Sequence, residues 1–189
     1  MLENVHDPYN IGAVLRSCDA VGIREVFVVY TEEGLMTNEL SIGRRTAMGT
    51  QKWVDVNFYT NLEACMDELT SRYDHLYTTH IGPESKSIYD LDLTQNVALI
   101  FGNESDGLSP EILKYSTGNF IIPQQGMAQS LNISVACAIS VYEAMRQRLQ
   151  KNFYGANNPV ESNQQQALLA DYLDRHENNF SGKEVFRKG

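Results

Sequence analysis

Apolar residues along this chain change their spacing repeatedly, and each change marks a predicted element. Short runs rich in β-branched and aromatic residues at Leu2–Val5, Glu25–Tyr30, Trp53–Val56, His75–Thr79, Val97–Phe101 and Phe120–Ile122 predict strands. Between them, apolar residues recur at helical spacing over Asn10–Val21, Asn61–Tyr73, Pro110–Tyr115 and about Ser130–Gln150. The runs Val26–Tyr30 and Val97–Phe101 lack polar alternation, as strands do when both sheet faces are covered. Strands alternating with helices predict an α/β domain with a mainly parallel sheet and helices on both faces. Ligands of such sheets gather at the carboxyl ends of the strands.

The first predicted helix carries an outlier. Ile11, Val14, Leu15 and Cys18 form an i, i+3, i+4, i+7 stripe, Pro8 and Asn10 suit the entry and Gly22 suits the exit. At about 100° per residue, Arg16 points roughly 150° from the centre of that stripe, so it projects as a cation instead of entering the core. At the other end, residues 151–165 are rich in Asn and Gln, contain Gly155 and Pro159, and read as a linker. Gln166–Arg175 then has Leu168, Leu169 and Tyr172 at helical spacing, which predicts a helix packed on the body or on a partner chain. Residues 1–150 are therefore expected to form the main domain, and 151–189 a linker and helical extension.

Composition narrows the class. A chain of 189 residues with 42% apolar residues fits one core, and no apolar run approaches the roughly 20 residues needed to span a bilayer. Met1 is followed at once by Leu2, Glu3, Asn4 and the acidic Asp7, so the reading is a cytosolic protein without a secretory leader. Cys18, Cys65 and Cys137 are widely separated within helical patterns and predict buried thiols, with no metal site. The net charge of −9 opposes nucleic-acid binding by the chain as a whole. Arg44, Arg45 and Lys52, however, fall close together with no carboxylate between them, and form a candidate RNA-binding patch.

Two Gly-rich loops, FGNESDG at 101–107 and IPQQGMAQSLNISVA at 122–136, each follow a predicted strand. Missing Cβ atoms there let backbone groups approach a ligand. The first strand and helix are joined by NVHDPYNIGAVLRS without a GxGxxG fingerprint, which disfavours a dinucleotide enzyme. Gly102 and Gly107 have P-loop spacing, but Leu108 and Ser109 follow, with no Lys for the β- and γ-phosphates. Glu104 and Asp106 are too few for a calcium loop, and Ser105 and Ser109 lie outside a GxSxG elbow. A site of backbone loops, amides, hydroxyls and one Arg suits chemistry carried by a cofactor.

Residues 4–22 (NVHDPYNIGAVLRSCDAVG), 99–109 (LIFGNESDGLS) and 122–148 (IPQQGMAQSLNISVACAISVYEAMRQR) together resemble the three ordered motifs of the SpoU/TrmH-like branch of SPOUT RNA ribose 2′-O-methyltransferases. The resemblance spans about residues 2–150 and implies a C-terminal deep trefoil knot, S-adenosyl-L-methionine as cofactor and a homodimer that completes each site. It implies cofactor contacts at Gly102, Ile122 and Leu131, with Met127 lining the same pocket. Asn10, Arg16, Glu104, Ser130 and Asn132 match the family's active-site positions, and Arg16 is expected to meet RNA. The implied substrate is structured RNA, first a guanosine in the tRNA D-loop and second 23S rRNA. A non-catalytic RNA-binding paralogue that retains the knot is the alternative suggested by the acidic balance.

Overall fold

The computed structural model describes residues 1–32, 35, 47–103, 105–154, 162–178 and 184–187. The strands are β1 (Leu2–Glu3), β2 (Glu25–Val29), β3 (Asp55–Tyr59), β4 (His75–Thr79), β5 (Lys86–Ser87), β6 (Val97–Ile100), β7 (Gly118–Ile121) and β8 (Glu184–Arg187). The helices are α1 (Pro8–Ala20), α2 (Leu62–Arg72), α3 (Pro110–Leu113), α4 (Ile133–Gln150) and α5 (Ser162–Glu177). Two four-stranded parallel sheets run in the orders β1-β2-β3-β8 and β5-β7-β4-β6.

The first residues of the chain stitch these sheets together. The Met1 ammonium donates to Leu99 O (2.8 Å), Phe101 N–H to Met1 O (3.0 Å) and Glu3 N–H to Phe101 O (2.9 Å). This is a parallel ladder, so the two halves form one continuous sheet with β1 between β2 and β6.

Alternation along the strands fills two cores. Val26 and Val28 join α1 and α4 residues such as Ile11, Val14, Leu15, Cys137 and Val141 on one face. Phe27 and Val29 pack with Cys65, Met66 and Leu69 of α2 and Ile112 of α3 on the other. Both faces are thus covered, as expected for runs without polar alternation. Each fully buried aliphatic side chain contributes roughly 1.5–3 kcal/mol to this packing. All three cysteines are free and buried, as the helical patterns predict.

Several boundaries differ from the sequence expectation. Helix α1 begins two residues earlier than Asn10, because Asp7 is its N-cap, accepting from Tyr9 N–H at 2.8 Å, and Pro8 takes the first position. Its exit does follow the pattern: Gly22 has φ 81°, and the N–H groups of Gly22 and Ile23 bond Asp19 O and Cys18 O in a Schellman arrangement. Strand β3 lies later than Trp53–Val56, since Asp55–Tyr59 pairs residue for residue with Glu25–Val29, while the buried Asn57 interrupts its apolar pattern. Strand β7 begins at Gly118, not Phe120, and β5 is too short to leave a periodic signal.

The C-terminal helix docks on the body. Arg175 is buried and makes a two-pronged ion pair with Asp55 (2.9 and 3.1 Å), plus a bond to Asp171 at 3.0 Å. Asp171 also pairs with Arg24 at 2.9 Å, and Tyr172 meets Trp53 edge-on. Strand β8 then pairs in parallel with β3, an addition that the sequence pattern of the extension does not announce.

Candidate functional site

Strand order determines which loops share a site. Strand β4 lies between β6 and β7, so the segments leaving the carboxyl ends of β6, β4 and β7 are neighbours. The Gly-rich loops follow β6 and β7. The segment after β4, HIGPESKS at 80–87, has one Gly beside a Pro among polar residues, a composition that in sequence signals only a turn. It folds on itself through the Ser85 hydroxyl, which donates to His80 O (2.6 Å) and accepts from Gly82 N–H (2.9 Å).

The loop after β6 is a tight turn. Asn103 Oδ1 accepts from Ser105 N–H (2.8 Å) and Asp106 N–H (2.7 Å), and Asn103 N–H donates to Gly107 O at 3.0 Å. Gly107 has φ 74°, a left-handed value that favours Gly. At Gly102 the reason for Gly is internal: an added Cβ would stand 2.1 Å from Gly107 C, 2.2 Å from Gly107 O and 2.4 Å from Leu108 N. The missing side chain admits the loop's own returning backbone. Such a folded strap presents main-chain groups, which suits recognition of a nucleoside-like ligand through backbone contacts.

A carboxylate from β1 braces this strap. Glu3 is buried, and its Oε2 accepts from Ser109 N–H at 2.8 Å while Oε1 has no hydrogen-bond partner. Ser109 in turn caps α3 through Ile112 N–H. Glu3 therefore connects the central strand to the end of the β6 loop. A carboxylate within the predicted first strand, Leu2–Val5, is its sequence signal.

The loop after β7 is open by contrast. Residues 123–130 are exposed, and Gly126 has free space where a Cβ would lie. Ile122 packs against the core, whereas Leu131 is half-exposed. Met127, in the same loop, is 98% exposed in the chain by itself.

The loop ends by entering α4, where two expected site residues meet. Asn132 is the N-cap, its Oδ1 accepting from Ser134 N–H (2.9 Å), and its Nδ2 donates to Asn10 Oδ1 (3.1 Å) in the first turn of α1. One amide thus starts α4 and ties it to α1. Ser130 is exposed and lies before the helix, which starts at Ile133 and not near Ser130.

Arg16 lies six residues beyond Asn10, about 9 Å farther along the helix axis. It is exposed as the periodicity predicts, and no described residue pairs with it. Lys52 Nζ stands 5.2 Å from the centroid of the Trp53 ring and 3.4 Å from His176 O, and so already contacts the docked C-terminal helix. Glu104, Arg44 and Arg45 lie outside the described residues. Among the described residues no group of three or more His, Cys, Asp or Glu could hold a metal ion, and no helix is long and apolar enough to cross a membrane.

Known proteins match both sequence and fold. The family described as SpoU rRNA Methylase matches residues 1–142. A tRNA (guanosine(18)-2′-O)-methyltransferase from Thermus thermophilus is 38% identical over 92% of this chain and 86% of its own length. Its counterpart from Escherichia coli is 32% identical over 89% of this chain and 72% of its own length. The crystal structure of the A. aeolicus TrmH/SpoU tRNA modifying enzyme superposes with a TM-score of 0.77 at 33% identity, covering 92% of this chain and 86% of that one. The AviRb methyltransferase of Streptomyces viridochromogenes, in complex with AdoMet, gives a TM-score of 0.69 at 27% identity over 79% of this chain and 59% of that one. With the three motifs in order on a parallel sheet and the first and third joined through Asn10 and Asn132, the chain belongs to the SpoU methylase family.

Proposed function

We propose that this protein transfers a methyl group from S-adenosyl-L-methionine to the 2′-oxygen of a ribose in RNA, with a guanosine of the tRNA D-loop as the first-choice target. The observation that carries the reading is the Asn10–Asn132 bond, which draws the first and third motifs to one place beside the β6 and β7 loops. The choice of tRNA rests on relatives named tRNA (guanosine(18)-2′-O)-methyltransferase. A second target, 23S rRNA, is supported by Xanthomonas relatives named 23S rRNA (guanosine-2′-O-)-methyltransferase, 36% identical over 79% of this chain.

The cofactor supplies an electrophilic methyl carbon. The protein must then orient the ribose hydroxyl and stabilise the charge that develops on it. Gly102, Ile122 and Leu131 hold the adenosine through their backbone groups, and the strap closed by Gly102 supports that role. Asn10, Ser130, Asn132 and Glu104 orient the ribose. Arg16 clamps an RNA phosphate or the developing alkoxide. It is not the base, since a guanidinium keeps its proton with a pKa above about 12.

The reading includes a C-terminal trefoil knot, a homodimer and a cytoplasmic location. The dimer is supported by an apolar stripe on the outer face of α4, where Val135, Tyr142 and Leu149 recur at i, i+7 and i+14 and are about half exposed. Residues 1–150 form the catalytic unit in this proposal, and 151–189 its extension. Arg44, Arg45 and Lys52 contribute RNA contacts.

Calorimetry with S-adenosylhomocysteine, and labelled-methyl transfer to bulk tRNA and rRNA, test the reading. Binding of S-adenosylhomocysteine and labelling of tRNA are expected, and a folded dimer that does neither refutes it. Arg16→Ala is expected to lower turnover far more than cofactor affinity. Equal losses in both would overturn the division of roles.

A further inference from the structure

Glu3 is the most buried carboxylate among the described residues, with 1% of its surface exposed, and only one of its oxygens has a partner. Oε2 accepts from Ser109 N–H at 2.8 Å, while Oε1 is enclosed and accepts from nothing. A buried oxygen left without a donor carries the full cost of its lost water. An amide in place of the carboxylate would keep an acceptor for Ser109 and remove the buried charge. The Ser109 bond alone therefore gives no reason for a carboxylate here.

The place of Glu3 ties it to both ends of the β6 loop. Its N–H donates to Phe101 O, where the loop begins, at 2.9 Å, and its side chain holds Ser109, where the loop ends. Gly102 and Glu104, the residues that the proposed site takes from this loop, lie between the two anchors.

The loop also carries a donor that can complete the carboxylate. Asn103 Oδ1 takes the N–H groups of Ser105 and Asp106, and Glu3 takes that of Ser109. Among the described residues none accepts from Leu108 N–H. Leu108 is buried, and its nitrogen lies 2.4 Å from where a Cβ on Gly102 would stand. Its N–H directly precedes the one that Glu3 already holds. A carboxylate can accept from two successive N–H groups, one on each oxygen.

We propose that Glu3 is a positioning residue of the β6 loop: Oε2 holds the loop in the form described here, and Oε1 is reserved for Leu108 N–H when the loop closes on the cofactor. The inference rests on the proposed use of S-adenosyl-L-methionine and adds to it what draws the loop closed. An acceptor unmet in the free protein and met in the closed form favours the closed form, and so adds to cofactor affinity. Glu3 acts through Leu108 and Ser109 and touches no reacting atom.

The test compares Glu3→Gln and Glu3→Ala with the wild type by thermal unfolding without ligand and by calorimetry with S-adenosylhomocysteine. Glu3→Gln keeps an acceptor for Ser109 N–H but presents an NH2 group where Leu108 N–H needs an oxygen. Its Tm is expected to stay within about 2 °C of the wild type or to rise, while affinity falls about tenfold or more. Glu3→Ala loses both oxygens and is expected to lower Tm and affinity together. At saturating ligand, amide exchange at Leu108 should slow by about tenfold or more in the wild type and much less in Glu3→Gln. Wild-type affinity or wild-type protection of Leu108 in Glu3→Gln would overturn the inference. So would a Tm loss in Glu3→Gln equal to that in Glu3→Ala, which is the mark of a structural brace alone. A wild type that binds no S-adenosylhomocysteine refutes the cofactor reading itself, whereas the outcomes named for Glu3→Gln leave that reading standing.

Discussion

Replacing Asn132 by Asp separates the two tasks that one amide performs. Asn132 Oδ1 caps α4 through Ser134 N–H, and Nδ2 donates to Asn10 Oδ1 at 3.1 Å. Asp keeps the capping acceptor, since Asn and Asp are equivalent N-caps, but has no donor for Asn10. An N-cap contributes about 1 kcal/mol and a side-chain hydrogen bond about 1 kcal/mol. Asn132→Ala therefore loses about 2 kcal/mol and Asn132→Asp about 1 kcal/mol. At 2–4 °C per kcal/mol for a chain of this size, Tm falls by about 4–8 °C for Ala and about 2–4 °C for Asp. Both variants lose the bond that fixes the first turn of α4 against Asn10, while the apolar packing of α1 on α4 remains, and misplacement of the site by even 1 Å costs on the order of 100-fold in turnover. Thermal unfolding beside labelled-methyl transfer to tRNA measures the two effects on the same samples. Equal Tm values for Ala and Asp, or wild-type turnover in Asn132→Asp, would refute the assignment of two separable roles.

Gly102→Ala forces a Cβ against the backbone of Gly107 and Leu108. Overpacking of this kind costs about 1–3 kcal/mol, and the strap must shift, so calorimetry should show S-adenosylhomocysteine affinity falling more than Tm implies. Arg175→Ala leaves the carboxylates of Asp55 and Asp171 short of a partner, but both stay partly hydrated, at 28% and 33% exposed. The expected loss is about 2 kcal/mol, less than for a fully buried pair, with Arg175→Lys restoring only part of it in urea unfolding because Lys cannot make the two-pronged contact. Asp92 has its pKa lowered to about 2, first by the Thr94 hydroxyl and then by Thr94 N–H, Gln95 and Lys151. A depressed folded pKa gives stability that is present above the unfolded value of 3.8 and lost as pH falls towards 2. The small Tm advantage over Asp92→Asn should therefore be present at pH 5 and vanish near pH 2.

Elements that bury a regular stripe were legible in the sequence. Helix α1 declared its core face and the outward cation Arg16, and β2 and β6 declared strands covered on both sides. What the period could not supply was pairing. Asn57 is polar and buried, so β3 reads as a shorter and earlier strand until its register with β2 is known. Strands β5 and β8 are short and owe their existence to neighbours distant in sequence. The site shows the same division. Its glycines and amides were visible one loop at a time, whereas the Asn10–Asn132 bond, the Glu3 brace and the place of the β4 segment between the Gly-rich loops depend on strand order. Met127 reads from the sequence as a pocket wall because it is apolar and lies in a Gly-rich loop, and in the chain by itself its side chain stands in solvent.

The stitching of β1 into the middle of the sheet constrains how the molecule assembles in time. Its partner on one side arrives early, but the Met1 bond to Leu99 O joins residues 98 positions apart, and the Asn10–Asn132 bond joins residues 122 apart. Contacts across such separations are slow to form, because chain entropy opposes each closure before any packing favours it. During synthesis the first strand and helix must wait, with one edge and one face open, until β6 and α4 emerge. The site is then among the last parts to exist, so a chain that stops before α4 should be exposed to aggregation as well as inactive.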